Sequence, residues 1–213
     1  DYEPSGNVTK ANLDEMNETY AKIAIGAGDN LNLYVMLGMI NSAELTEDWT
    51  QASTNYTTKF ETDSDFLWGL GSSSAYEFGN KYFIGSDFHY IAWEADVDKI
   101  EESGESATNI KGGYEYYELQ GSIYAGKRFE SSPEISLIPY AGFFYNYSEI
   151  ESDGDITCET TTAYYTHKGD IENDDKFGIM LGANMEIAKS FLLNVEGRFI
   201  AEEAFTISGT YKF

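Results

Sequence analysis

Residues 191–213 read FLLNVEGRFIAEEAFTISGTYKF, from Phe191 to Phe213. From Phe205 onward, Phe205, Ile207, Gly209, Tyr211 and Phe213 fall on one face and Thr206, Ser208, Thr210 and Lys212 on the other. A period of two is the signature of a β-strand. The stretch closes on an aromatic with no polar tail, so the expected cover for its apolar face is lipid. A lone strand in hydrocarbon leaves its backbone N–H and C=O groups unpaired, and closing strands into a barrel removes that penalty.

A final strand of alternating apolar residues, with Tyr211 third from the end and Phe213 terminal, resembles the closing strand of small bacterial outer-membrane β-barrel proteins, the porin-like group. The resemblance implies that Phe205, Ile207, Gly209, Tyr211 and Phe213 form part of a signal read by the barrel assembly machinery. It extends over about residues 18–213, where LNLYVMLG from Leu31, IPYAG around Tyr140 and VEGRF from Val195 are the segments most similar to that group. It also implies a monomer in the bacterial outer membrane, in contact with lipid and lipopolysaccharide. The role it implies is structural or surface-interaction, with a narrow porin-like channel for small solutes or ions as the alternative.

Working outward, the same alternation recurs. Ile23 and Ile25 lead to a turn signal at Gly28-Asp29-Asn30, and Leu31, Leu33, Val35, Leu37 and Met39 return. Phe66, Trp68 and Leu70 precede a turn at Gly79-Asn80, followed by Ile84, Phe88 and Tyr90 on a return strand over about 81–97, whose less regular pattern suits a bulge within it. Leu119 and Ile123 align before the turn at Pro133, and Leu137, Ala141, Phe143 and Tyr145 after it; Ile179, Leu181 and Met185 align before Lys189. Short connections alternate with long polar ones at 43–64, 98–113 and 151–175, the asymmetry of outer-membrane barrels with short periplasmic turns and long outer loops. The expected architecture is an all-β, transmembrane, antiparallel up-and-down barrel over residues 18–213, preceded by an acidic arm at 1–17. Nine strands are recognisable, yet single-chain bacterial barrels have an even number. Ten strands are expected, with eight as the alternative; the tenth lies either in residues 1–16 or upstream of Asp1.

Composition narrows the function. With 37 acidic and 13 basic side chains the net charge is −24, which repels nucleic acid and favours cations or basic partners. No apolar run reaches the eighteen residues of a spanning helix. Of the acids, 26 lie in 1–18, 44–65, 94–105 and 149–175, so the loops are expected to be acidic. Ser152 to Asp155 and Asp170 to Asp175 offer oxygen ligands that could bridge divalent cations to lipopolysaccharide, but neither fits a calcium-loop pattern. No metal or other cofactor is expected. Cys158, the single cysteine, falls in the last acidic connection as a free thiol or attachment point.

The faces opposite the apolar rows carry Lys22, Tyr34, Glu77, Asp87, His89, Glu118, Gln120, Arg128, Glu186, Glu196 and Arg198. In a narrow barrel these line the lumen and fill it as a salt-bridged plug, or else edge a charged pore. His89 with Asp87, and His167 with Asp170, are the pairs that an outer-membrane protease or lipid-modifying enzyme, the activities the resemblance admits, would use to activate water or a hydroxyl. Without a G-x-S-x-G or H-E-x-x-H motif, the expectation is no enzyme. A soluble barrel or sandwich is the other class, and it requires the apolar rows to face inward.

Overall fold

The structure is a computed structural model that describes residues 2–4, 8–51, 54–102, 104–159, 164–167, 170–188 and 190–211. Every regular element in it is a strand of one antiparallel sheet. In chain order the strands are β1 (Tyr2–Pro4), β2 (Val8–Gly26), β3 (Leu31–Gln51), β4 (Thr54–Thr62), β5 (Asp65–Phe78), β6 (Tyr82–Glu102), β7 (Glu105–Ser106) and β8 (Thr108–Lys127). There follow β9 (Phe129–Ser132), β10 (Ile135–Glu159), β11 (Tyr164–His167), β12 (Asp170–Asn173), β13 (Phe177–Ile187), β14 (Phe191–Phe199) and β15 (Ala204–Tyr211).

The two ends of the sheet are connected differently. At the end with the short turns the order is β2, β3, β5, β6, β8, β10, β13, β14, β15. At the other end β4 replaces β5 between β3 and β6, and β12 replaces β13 beside β10. There β12 also pairs β1, and β1 pairs β2 through Tyr2 and Ala11. The ladder of pairings therefore returns to its start at the long-strand end. At the short-turn end it runs from β2 to β15, with no pairing between those two among the described residues.

The nine strands recognisable in sequence are the nine at the short-turn end. Of residues 1–16, one place expected for a tenth strand, 8–16 belong to β2, and the described residues ahead of them form only the three-residue β1. The long acidic connections, expected as loops, are instead strand: β3 runs to Gln51, β4 covers 54–62, β6 and β8 frame a tight reversal, and β10 runs to Glu159. Charge on one face does not preclude a strand when the other face is buried, and the threonines and aromatics here favour extended backbone. The turn at Asn80 and Lys81 has positive φ at both residues (57° and 67°), the primed geometry that matches strand twist.

The sheet has a buried and an exposed face, and their chemistry changes along it. In the short-turn half the exposed face is apolar: Leu33, Val35, Leu37, Phe66, Trp68, Leu70, Ile84, Phe88, Ile123, Leu137, Phe143, Leu181, Phe199, Phe205 and Ile207 all point outward. Its buried face holds His89, Glu118, Gln120, Asn146 and Glu196. In the long-strand half the order is reversed. Leu45, Phe60, Val97, Ile100, Tyr114, Ile150, Ile156 and Cys158 are buried in one cluster, while Glu94, Asp96, Asp98, Glu115 and Asp153 are exposed. Each large side chain in that cluster contributes about 1.5–3 kcal/mol of burial, so the long-strand half has a water-type core of its own. The apolar rows of the short-turn half face outward, opposite to what a soluble sandwich requires.

Candidate functional site

The polar side chains of the short-turn half converge on the buried face because strand parity puts them there. Asp87 and His89, two apart on β6, share a face, and β8 brings Glu118 and Gln120 alongside through the pairings Ile91↔Glu118 and His89↔Gln120. The His89 ring lies between two carboxylates: Nδ1 is 3.0 Å from Asp87 Oδ1 and Nε2 is 3.1 Å from Glu118 Oε1. Tyr34 donates to Asp87 at 2.7 Å, and Lys22 approaches the same carboxylate at 3.5 Å while lying 3.4 Å above the Tyr34 ring. Tyr116 donates to Glu118 at 2.9 Å.

A second group surrounds Arg198, whose guanidinium reaches Glu196 at 2.9 Å and Glu202 at 3.4 Å. Tyr140 donates to Glu196 at 2.6 Å, and Asn194 donates to Tyr140 at 2.8 Å. Asn146 joins the two groups, its amide lying 3.2 Å from Glu118 and 3.4 Å from Glu202. Nearer the short turns, Arg128 pairs with Glu77 at 3.3 Å and with Glu186. Thus Lys22, Asp87, His89, Glu118, Gln120, Glu196 and Arg198 belong to one connected network, and Glu77, Arg128 and Glu186 form a separate ion cluster.

Aromatic side chains fill the space between these groups. A methyl at Gly182 would meet the Tyr140 ring, one at Gly71 the Tyr34 ring, and one at Gly85 the Tyr124 ring. Each glycine is a site of close approach by a ring from the next strand. The buried face is therefore packed by Tyr over Gly, each of its cations lies against one or two carboxylates, and His89 has both ring nitrogens occupied. A histidine so held has no nitrogen available to activate water.

Sequence reading missed Tyr116, Tyr140, Asn146, Asn194 and Glu202. Tyr140 and Asn146 lie on the face of β10 opposite Phe143 and Tyr145, so the same parity would have found them. Glu202 sits outside any strand, in the 200–203 reversal, and no alternation marks it. His167 and Asp170 lie in the backbone of β11 and β12, but their side chains are outside what the structure describes, as is Phe213 of the terminal signal. Phe205, Ile207 and Tyr211 are exposed on β15, with Gly209 between them. Among the described residues no group of three His, Cys, Asp or Glu side chains is placed to hold a metal ion. Cys158 is not in a solvated loop. It is buried on β10 in the apolar cluster, where burial first and the charge of Glu102 second push its thiol above the ordinary range. Tyr114, in the same cluster, is raised well above its usual value by burial.

Compared with protein-family models, with curated proteins and with solved structures, the chain matches none.

Proposed function

We propose that the chain is an integral β-barrel of a bacterial outer membrane with a filled interior, whose role is structural or in surface interaction. The observation that carries this is the reversal of polarity along continuous strands. An apolar exposed face over a polar buried one suits lipid outside and a polar, ion-paired lumen inside; an acidic exposed face over an apolar core suits water outside. The apolar segments, such as Leu31–Met39 and Phe66–Phe78, have the length of a tilted crossing. In this reading the short turns are periplasmic, nine strands plus one complete a ten-stranded crossing, and the long-strand half projects from the outer surface. There β14 and β15 have ended, so the projection narrows to the eight strands β1, β2, β3, β4, β6, β8, β10 and β12, and its apolar core stoppers the lumen. Lipid and lipopolysaccharide surround the band, and the acidic projection is what the cell presents.

The test is planar-bilayer conductance of the purified protein, with heat-dependent gel mobility as proof of folding. A folded, inserted protein is expected to give no stable steps. Reproducible conductance steps would put a porin-like channel in place of the plug, and folding in detergent-free buffer would reject the membrane reading itself.

A further inference from the structure

The two unpaired edges at the short-turn end define the shape of what belongs between them. Eight antiparallel pairings separate β2 from β15, so the two strands run in the same direction. They cannot complete the antiparallel sheet by pairing with each other. One strand running opposite to both would satisfy both edges.

At the long-strand end β1 already occupies that lane. It pairs β12 on one side (Tyr2↔Asn173, Glu3↔Glu172, Pro4↔Ile171) and β2 on the other, antiparallel to both. Because Tyr2 sits opposite Ala11 and β1 is antiparallel to β2, a strand continued ahead of Tyr2 in the same register would step along the free edge of β2 towards Gly26. The β14–β15 hairpin begins below this level, at the 200–203 reversal, so the path enters the gap between β15 and β2. Glu18, Tyr20 and Lys22 lie on the β2 border of the gap, and the reversal that holds Glu202 leads into β15 on the other. Glu18 Oε1 is buried with no hydrogen-bond partner among the described residues.

We propose that the gap is filled by the polypeptide immediately preceding Asp1, which continues β1 backwards as a single strand between β15 and β2, facing Asn12–Gly26, and presents a hydrogen-bond donor to Glu18. Continuity with the β1–β2 and β1–β12 pairings selects this occupant over a second copy of the chain or a foreign strand. The proposal rests on the closed-barrel reading but not on insertion into lipid.

Two forms are refolded in detergent micelles: residues 1–213, and the chain with the ~20 residues encoded ahead of Asp1, enough for a crossing strand and its turn. Amide hydrogen exchange is then followed in β2 (Glu18–Gly26) and β15, with β8 and β10 as the internal control of folding. The extended, monomeric form is expected to protect both edges roughly 100-fold or more over the shorter form. Protection of the edges in residues 1–213 overturns the proposal, whether the mass is that of a monomer closed on itself or of a dimer. Equal exposure in both forms overturns it as well. If residues 1–213 do not fold and the extended form does, the strand is required, as proposed. A crosslink in the extended form gives a second reading. With Cys158→Ala, cysteines at Ala21 and Ile207 should be two strand spacings apart, about 10 Å, too far for a disulfide but within reach of a bismaleimide of that span. Ready disulfide formation overturns the proposal. The encoded residues themselves must alternate apolar and polar; an unbroken apolar leader ending at Asp1 would also overturn it. Folding without detergent would refute the membrane reading and leave each of these outcomes readable.

Discussion

Leu181→Arg distinguishes a lipid-facing band from a wet surface. Leu181 lies on β13, paired with Ala141 and Gly197, and 53% of its surface is exposed. If lipid covers it, about half of a leucine's burial energy, on the order of 1 kcal/mol, is contributed by the bilayer. Replacement by arginine forfeits that and places a charge in hydrocarbon, for a total cost of about 2–4 kcal/mol near the midplane. That is a shift of roughly 30- to 1000-fold in the folding equilibrium. In water the same exposed substitution would fall within about 0.5 kcal/mol of neutral. The assay is denaturant titration in lipid vesicles, scoring the folded band by gel mobility, with Glu115→Arg on the acidic exposed face of β8 as the control. Glu115→Arg is expected to move the midpoint little. Equal, small shifts for both variants would refute the assignment of the band to lipid, and so would normal assembly of a parallel Leu119→Arg variant.

Two further predictions concern the interior and the projecting core. Arg198→Leu leaves Glu196 and Glu202 buried without their cation, and breaking one side of such a cluster costs about 3–5 kcal/mol; a midpoint change worth under ~1 kcal/mol would show that the lumen is hydrated rather than packed. Cys158, with a thiol raised above 9.0 by burial, is expected to resist maleimide at pH 8 in the folded protein and to react at once in denaturant. Because the folded value is the higher one, this thiol's contribution to stability is complete below about pH 9 and is lost as the pH rises through the folded value. Fast alkylation of the native protein would place Cys158 at the surface.

The short-turn half was legible because a strand with one exposed apolar face and one polar buried face leaves a clean period of two: every apolar row read from Ile23 to Ile207 is on the exposed face. The polar residues opposite those rows followed from the same parity, and so His89, Glu118 and Arg198 could be named before their partners were known. The long-strand half was misread for a physical reason. Its exposed face is charged and its buried face is built from scattered residues, Ala43, Leu45, Phe60, Val97 and Ile100, interrupted by threonines and acids. Averaged over a window, such a strand has the composition of a loop. Glu202 was invisible for another reason: its place in the network depends on a reversal bringing it to Arg198 and Asn146, and nothing local encodes that.

Irregularities in three strands help join the two halves. In β3 the inward residues are Tyr34, Met36 and Ile40, but above them Ala43 and Leu45. The parity changes at Asn41, an extra residue where Asn17 pairs Ser42 and Glu18 pairs Ile40. Its side chain donates to the Asn17 carbonyl at 3.3 Å and to Thr19 at 3.1 Å, holding the bulge to the neighbouring strand. A second extra residue, Asp98, lets Val97 and Ile100 both face inward on β6, and Asp14 does the same for Leu13 and Met16 on β2. One-residue insertions exchange the faces of everything beyond them. Without the one at Asn41, Glu44 and Asp48 would turn into the apolar core, and Ala43 and Leu45 would turn out of it. In β8 and β10 the register with each other stays unbroken from Tyr140↔Gly126 to Asp153↔Gly113, so there the sequence itself exchanges its polar and apolar positions. Two mechanisms, a one-residue insertion in β3 and an exchange of polar and apolar positions in β8 and β10, therefore bring about the same inversion of faces across neighbouring strands.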